Sequence, residues 1–194
     1  NLKILGDKPL IAWTIQRALK SSYIDQVIIS TDSDRIAEVA REYGAEVPFM
    51  RPDEFASDTA SASDVITHAI THFEKTANGY DWFVYLQPTS PFRTTEQIDL
   101  AIAALSRDSN AETVVSVREV TEQPMWMKTV SPGGYLNSLL EVESEHIPRQ
   151  GLGAVYILNG AIFVSTCSGY VKNHSFYFGN TLPYIMDLPS SVDI

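Results

Sequence analysis

Cysteine is almost missing from this chain: Cys167 is the single one, so no internal disulfide can staple the fold and no cysteine-based metal site can form. No apolar run approaches the ~18 residues that a membrane span requires, and no stretch reads as a signal peptide. Positive charge is also in short supply. Fourteen Lys and Arg face 24 Asp and Glu, a formal net charge of -10, which repels a phosphate backbone and argues against a nucleic-acid partner. There is no Walker-type loop. Gly151-Leu152-Gly153 follows no clear strand, and Tyr156 stands where a dinucleotide fingerprint needs its third glycine. These absences lead to the expectation of a soluble protein with no membrane attachment, in a reducing compartment: the cytoplasm, or the nucleus for a eukaryotic homologue, although no strongly basic cluster supports import. The sequence opens on Asn1 and stops at Ile194, and both ends read as incomplete.

What is present is enough apolar material, 44% of 194 residues, to bury one substantial core in a single domain. Pro9 followed by Leu10, Ile11, Thr14, Ile15, Ala18 and Leu19 predicts a helix with proline in its first turn. The β-branched run Val27 to Thr31 predicts a buried strand. Asp32 or Ser33 can cap the next helix, whose apolar face is Ile36, Val39, Ala40 and Tyr43, with Gly44 at its exit. Val47 to Met50 reads as a short strand, 61–75 as a helix and 82–86 as a strand. A helix capped by Thr94 or Thr95 and a strand over 113–117 follow. The alternation predicts an α/β fold, a mostly parallel sheet with helices on both faces. From Glu119 to Gly153 the pattern breaks into Pro, Gly and polar residues, a functional excursion or a small subdomain. A strand at 160–164 restores the core.

In open α/β sheets ligands sit beyond the carboxyl ends of the strands. That rule points to Thr31-Asp32, to Arg51-Pro52 and to the segment Gln87-Pro88-Thr89-Ser90-Pro91-Phe92-Arg93, rich in hydrogen-bonding groups and stiffened by two prolines. Taken singly, each motif also has an ordinary explanation. The proline-flanked segment can be a rigid turn, and the small residues 58–63 can cap a helix as well as receive an anion. Arg149-Gln150 can grip a carboxylate or make a surface ion pair, and Asn159-Gly160 can approach a ligand or simply turn the chain. His68 and His72, four apart on a predicted helix, could share a metal, but Ala69 stands where a zinc protease needs glutamate, and exposed helix histidines are expected.

Read together and in order, the motifs resemble the acylneuraminate cytidylyltransferases, the CMP-sialic acid synthetase family. The pieces that carry the resemblance are Asn1-Leu2-Lys3, Lys8 to Ile11, Ser30-Thr31-Asp32, Ile36-Ala37, Tyr43 to Phe49, Arg51-Pro52, Ser57 to Ser61, Leu86 to Arg93, Arg149-Gln150, Asn159 to Ile162 and Ser191 to Ile194. The resemblance implies a Rossmann-like domain over 1–194, interrupted at about 119–156 by a dimerisation subdomain, so that a homodimer is expected. It implies Mg²⁺-dependent transfer of CMP from CTP to the anomeric hydroxyl of N-acetylneuraminate, with release of pyrophosphate. By the same resemblance Asn1, Arg51, Ala60 and Ala62 are expected around the nucleotide. Gln87, Lys128, Arg149 and Gln150 are expected around the sugar acid, Phe176 and Tyr177 against its acyl group, and Asp193 on the metal. Placing Lys128 depends on a small insertion.

A hard divalent cation bridging phosphate oxygens needs carboxylate oxygen, which Asp193 offers. In-line displacement rests on positioning and charge neutralisation, so no single base is assigned. The sequence departs from the family pattern in three ways. The strand and the Gly-, Ser-, Arg- and Lys-containing loop that wrap the triphosphate in relatives would precede Asn1, a second metal aspartate would follow Ile194, and Ala62 replaces a serine found in some relatives. The alternatives are a legionaminate or related nonulosonate cytidylyltransferase and a non-catalytic nucleotide-sugar binding module. Kdo is disfavoured because Gln87 to Pro91 lacks the acidic residue of Kdo-activating relatives.

Overall fold

A computed structural model of the chain describes residues 1–56, 61–75, 79–140 and 153–194. Its regular sheet has the order β3-β7-β4-β8, formed by β3 (Trp82–Tyr85), β4 (Ala111–Val120), β7 (Val155–Thr166) and β8 (Asn180–Met186). Strand β4 runs parallel to β8, whereas β7 is antiparallel to both β3 and β4. The α/β class is as expected, but the sheet is mixed rather than mostly parallel. The reason lies in connectivity: β7 is entered from the long excursion after β4, whose described residues hold a 3-10 turn and a short hairpin rather than the crossover helix that a parallel neighbour needs.

Alternation along the strands sends side chains to opposite faces. Val114, Ile162 and Val164 pack under Ile98, Ala101, Ile102 and Leu105 of α4 (Thr95–Arg107). Val115 and Phe163 meet Ile66 and Ile70 of α3 (Ala62–Lys75) and Cys167 and Tyr170 of α5 (Cys167–Asn173) on the other side. Helix α4 begins as the sequence predicts. Thr94 accepts from the Gln97 amide and Gln97 reaches back to the Thr94 N–H, a capping box that satisfies two orphan donors. Within β4 the register with β7 slips between Val115 and Val117, and the Ser116 hydroxyl accepts from the Ile162 N–H at 2.8 Å.

The amino-terminal part is a second layer. A short hairpin, β1 (Ile4–Leu5) and β2 (Lys8–Pro9), leads into α1 (Leu10–Ala18), with Pro9 at the cap position, one residue before the first turn. Ser33 caps α2 (Asp34–Glu42), and Gly44, at φ +93°, lets the chain leave it. Ile11 and Ile15 of α1, with Ala40 and Ala45, pack against Val27, Ile29 and Val47. The predicted strands over 27–31 and 47–50 are present only as two parallel bridges, Ile28 to Glu46 and Thr31 to Met50. Residues 27–30 are half-buried rather than buried, because a cavity of about 690 Å³ separates them from β3, with α1 and α3 forming its walls.

The segment expected to be an excursion holds β5 (Lys128–Val130) and β6 (Leu136–Ser138), an antiparallel hairpin. Val130, Tyr135 and Leu136 are each at least 70% exposed. Tyr156, Ile157 and Leu158 in the first half of β7 are exposed as well. Among the described residues no helix is long and apolar enough to cross a membrane.

Ile162, fully buried between β4 and α4, sets the scale of the core. Ile162→Ala is expected to cost about 3 kcal/mol, measured as a lower denaturation midpoint at unchanged m value.

Candidate functional site

The proline-flanked segment after β3 is held from below by its own arginine. Arg93 is 1% exposed; its guanidinium donates to the Ala161 carbonyl on β7 at 2.9 Å and to the Thr14 hydroxyl on α1 at 2.6 Å. Both of these partners are neutral oxygens, and burial pushes the guanidinium pKa down from 12.5 to about 9. The Ser90 N–H turns back onto the Gln87 carbonyl at 3.3 Å, and Pro91 is buried. Gln87 and Thr89 are thereby fixed at the carboxyl edge of the sheet, the position an α/β site requires.

Two further segments meet this edge. Gly160, at φ +71°, lies so close to Gln87 that a Cβ there would stand 2.9 Å from the glutamine Oε1; only glycine leaves the side-chain amide in place. At the other end, the Ile194 N–H donates to the Thr89 carbonyl at 2.9 Å, which brings the exposed Asp193 beside the same loop.

On the amino-terminal layer, Arg51 donates through Nε and a terminal nitrogen to the hydroxyl and carbonyl of Ser30, and its N–H donates to the Thr31 carbonyl at 2.8 Å. The guanidinium is thus folded back onto the end of the 27–31 segment. Asn1, Arg51 and Ala62 all line the large cavity, together with Asp32 and Pro88. Three of the four residues expected around the nucleotide are therefore brought to one space; the fourth, Ala60, lies outside the described residues.

The sugar-side expectations divide. Gln87 and Asp193 share the loop just described. Arg149 and Gln150 lie outside the described residues. Lys128 sits exposed on the β5–β6 hairpin, donating to the Ser138 hydroxyl at 2.9 Å, and does not line the cavity. Phe176 is 8% exposed within a cluster of rings from Phe83, Tyr85, Phe163 and Tyr170. Its place is the aromatic core beneath α3 and α5, because a phenyl ring removed from water on all sides gains more by packing than by lining an open wall. Tyr177 beside it is 56% exposed. Sequence reasoning singled out Asn159 and Ser191 as motif residues but passed over Ser116 and the hydrogen bonds that join the three and brace this edge; buried small polar residues give no periodic signal.

Residues 1–130 match the family described as Cytidylyltransferase. The chain belongs to the cytidylyltransferase family. Over 200 aligned residues it is 34% identical to the CMP-N,N'-diacetyllegionaminic acid synthase of Legionella pneumophila, covering the whole chain and 83% of that protein. It is also 34% identical to the N-acylneuraminate cytidylyltransferase of Escherichia coli O18:K1:H7, again over the whole chain but only 45% of the longer relative. In fold, this cytidylyltransferase superposes on a CMP:2-keto-3-deoxy-manno-octonic acid synthetase complexed with CTP, with a TM-score of 0.66 at 14% identity, covering 95% of this chain and 82% of that one. A 4-diphosphocytidyl-2C-methyl-D-erythritol synthase gives 0.70 at 9% identity, covering 99% and 87%. At these identities the likeness is one of architecture, Rossmann-like in kind.

The two helix histidines are not the exposed pair expected. Phe49 packs on both, with ring centroids 4.8 Å from His68 and 4.7 Å from His72, and Phe55 lies 5.2 Å from His68. Among the described residues no group of three or more His, Cys, Asp or Glu is placed to hold a metal ion. Burial first, then the neighbouring His72, lowers the His68 pKa from 6.5, against a weaker opposing pull from Glu54. The unfolded chain therefore takes up this proton at a higher pH than the folded one, so stability is expected to fall as pH drops from 6.5 through the folded-state value. His68→Gln should flatten that part of the pH–stability curve measured by chemical denaturation; an unchanged slope would assign the acid sensitivity to other groups.

Proposed function

We propose that this cytidylyltransferase transfers CMP from CTP to the anomeric hydroxyl of N-acetylneuraminate and releases pyrophosphate. The observation that carries the reading is the convergence of Asn1, Arg51 and Ala62 on one cavity whose neighbouring edge bears Gln87 and Asp193. A legionaminate-type nonulosonate is the second reading, favoured by the 34% identity to the Legionella synthase across most of its length.

In the proposed reaction Arg51, anchored on Ser30, orients the nucleoside end, and Asn1 and Ala62 with Ala60 shape its pocket. Gln87 offers an amide that both donates to and accepts from sugar hydroxyls. Arg149, Gln150 and Lys128 supply charge and donors for the sugar carboxylate, and Phe176 and Tyr177 back the acyl group. Asp193 fits a divalent cation as a single exposed hard-oxygen donor, since Mg²⁺ commonly takes one or two carboxylates and completes its shell with phosphate oxygens and water. Bound Mg²⁺ would neutralise charge on the triphosphate. What this chain's residues do is hold the reacting groups in line and meet the developing charge, which is where phosphoryl-type transfers gain most of their rate.

The cavity between the 27–31 segment and β3 is bounded by two strand edges, and Tyr80, just before β3, donates to Gln26, just before the other segment. Like ends of the two segments are thus aligned. A parallel strand carrying the phosphate loop, which the family resemblance sets ahead of Asn1, would fill the apolar interior of that space among Ile15, Ile70, Ile102 and Val164 and leave the part lined by Asn1, Arg51 and Ala62 to the nucleotide. Two copies of the chain are proposed to pair through the exposed apolar residues of β5–β6 and β7, with the cytoplasm as the working compartment. Leu136→Glu should then shift the particle from twice the chain mass to once in analytical ultracentrifugation.

Full-length protein mixed with CTP and Mg²⁺ is expected to release pyrophosphate with N-acetylneuraminate, more slowly with Kdo, and not without sugar. Faster release with legionaminate would transfer the assignment to the second reading. No release with any sugar would leave a nucleotide-sugar binding module.

A further inference from the structure

Asn159 is 6% exposed and uses every hydrogen-bonding position it has. Its Oδ1 accepts from the Ser116 hydroxyl at 2.6 Å and from the Ala161 N–H at 3.2 Å. Its Nδ2 donates to the Ser191 hydroxyl at 2.9 Å and lies 3.4 Å from the Met186 sulfur. Ser191 in turn donates to the Asp187 carbonyl at 2.7 Å, closing the short 3-10 turn Pro189–Ser191 that precedes Asp193. One buried amide therefore bolts three things together: the slipped register of β4, the middle of β7, and the turn that leads to Asp193. The residue after it, Gly160, is the one whose missing Cβ seats the Gln87 amide.

We propose that Asn159 is a positioning residue that couples the two halves of the acceptor site, fixing the Asp193 turn through Ser191 while Gly160 holds Gln87 in register. The inference rests on the reading of Asp193 as a metal ligand and Gln87 as a sugar contact. Its physical basis is that a buried, fully satisfied amide tolerates one geometry only, because leaving any of its groups unpaired costs a desolvation penalty. A shift of the Asp193 turn thus breaks hydrogen bonds in the sheet interior, and a productive geometry is held before ligand arrives. Neither Asn159 nor Ser191 touches substrate or metal in this scheme.

The scheme separates into two arms. Ser191→Ala removes the Asn159 link to the turn together with the turn's own bond to the Asp187 carbonyl, and Asn159→Ala removes the first while keeping the second; Gly160→Ala inserts a Cβ against Gln87 and leaves the Ser191 link intact. Mn²⁺ binding to the protein–CTP complex, followed by electron paramagnetic resonance without sugar, and the KM for the sugar acid are measured on each. Ser191→Ala is expected to weaken Mn²⁺ binding roughly tenfold with the sugar KM within about twofold of the parent, and Ser191→Thr, which keeps the hydroxyl, to restore it. Gly160→Ala is expected to do the reverse. Asn159→Ala, checked for folding by circular dichroism, should lose on both. Unchanged Mn²⁺ affinity in Ser191→Ala, with the parent protein binding Mn²⁺ and releasing pyrophosphate, would overturn the coupling alone. A parent protein that binds no Mn²⁺ with CTP would overturn the functional reading and the coupling with it.

Discussion

The structure hangs on the burial of one cation. Arg93 reaches from the loop before α4 to a carbonyl of β7 and a hydroxyl of α1, and a guanidinium withdrawn from water tolerates little displacement, because every lost hydrogen bond leaves charge uncompensated in a low dielectric. That single side chain sets the separation of three elements. It also fixes the far end of the segment whose near end carries Gln87. The two prolines between them restrict the loop before folding begins, so holding Gln87 and Thr89 at the sheet edge costs little additional entropy.

From this anchor the site is assembled out of two layers with different roles. The sheet layer presents rigid features: Gln87 against Gly160, Thr89 tied to Ile194, and Asp193 next to that tie. The amino-terminal layer, with α1, α2 and the bridged segments 27–31 and 46–50, presents Arg51 folded onto Ser30. The cavity lies where the two layers face each other, with Asn1, Arg51 and Ala62 among its lining. The aromatic cluster around Phe176 lies on the opposite sheet face from α4 and stiffens the sheet behind the site.

Fold and substrate are separable here. Architectures that superpose with TM-scores of 0.66 and 0.70 belong to proteins named for quite different acceptors, so the shared sheet says nothing about which acceptor is used. Under the proposed reading, selectivity comes from side chains at the edge, where an amide such as Gln87 would discriminate through hydrogen bonds otherwise left unmade. The segment from Gln87 to Pro91 itself carries no acidic group.

Sequence alone determined the elements whose signals are local. The capped start of α4, the apolar faces of α1 and α2, the cores of β3, β4 and β7 and the proline-stiffened loop were legible, because periodicity and capping chemistry act within a few residues. The order of the motifs was enough to indicate the family. Tertiary structure decided what depends on distant partners. The antiparallel setting of β7 follows from how the chain returns after its excursion, and α5 and β8, short and weakly patterned, exist because the sheet and the aromatic core receive them. Phe176 and the two histidines went inward for the same reason: Phe49 and Phe55, which pack on the histidines, and Phe83, Tyr85 and Phe163, which pack on Phe176, lie elsewhere in the chain. The Ser116–Asn159–Ser191 network was invisible for the plainest cause, that its members are 43 and 32 residues apart and become one object only when three segments are buried together.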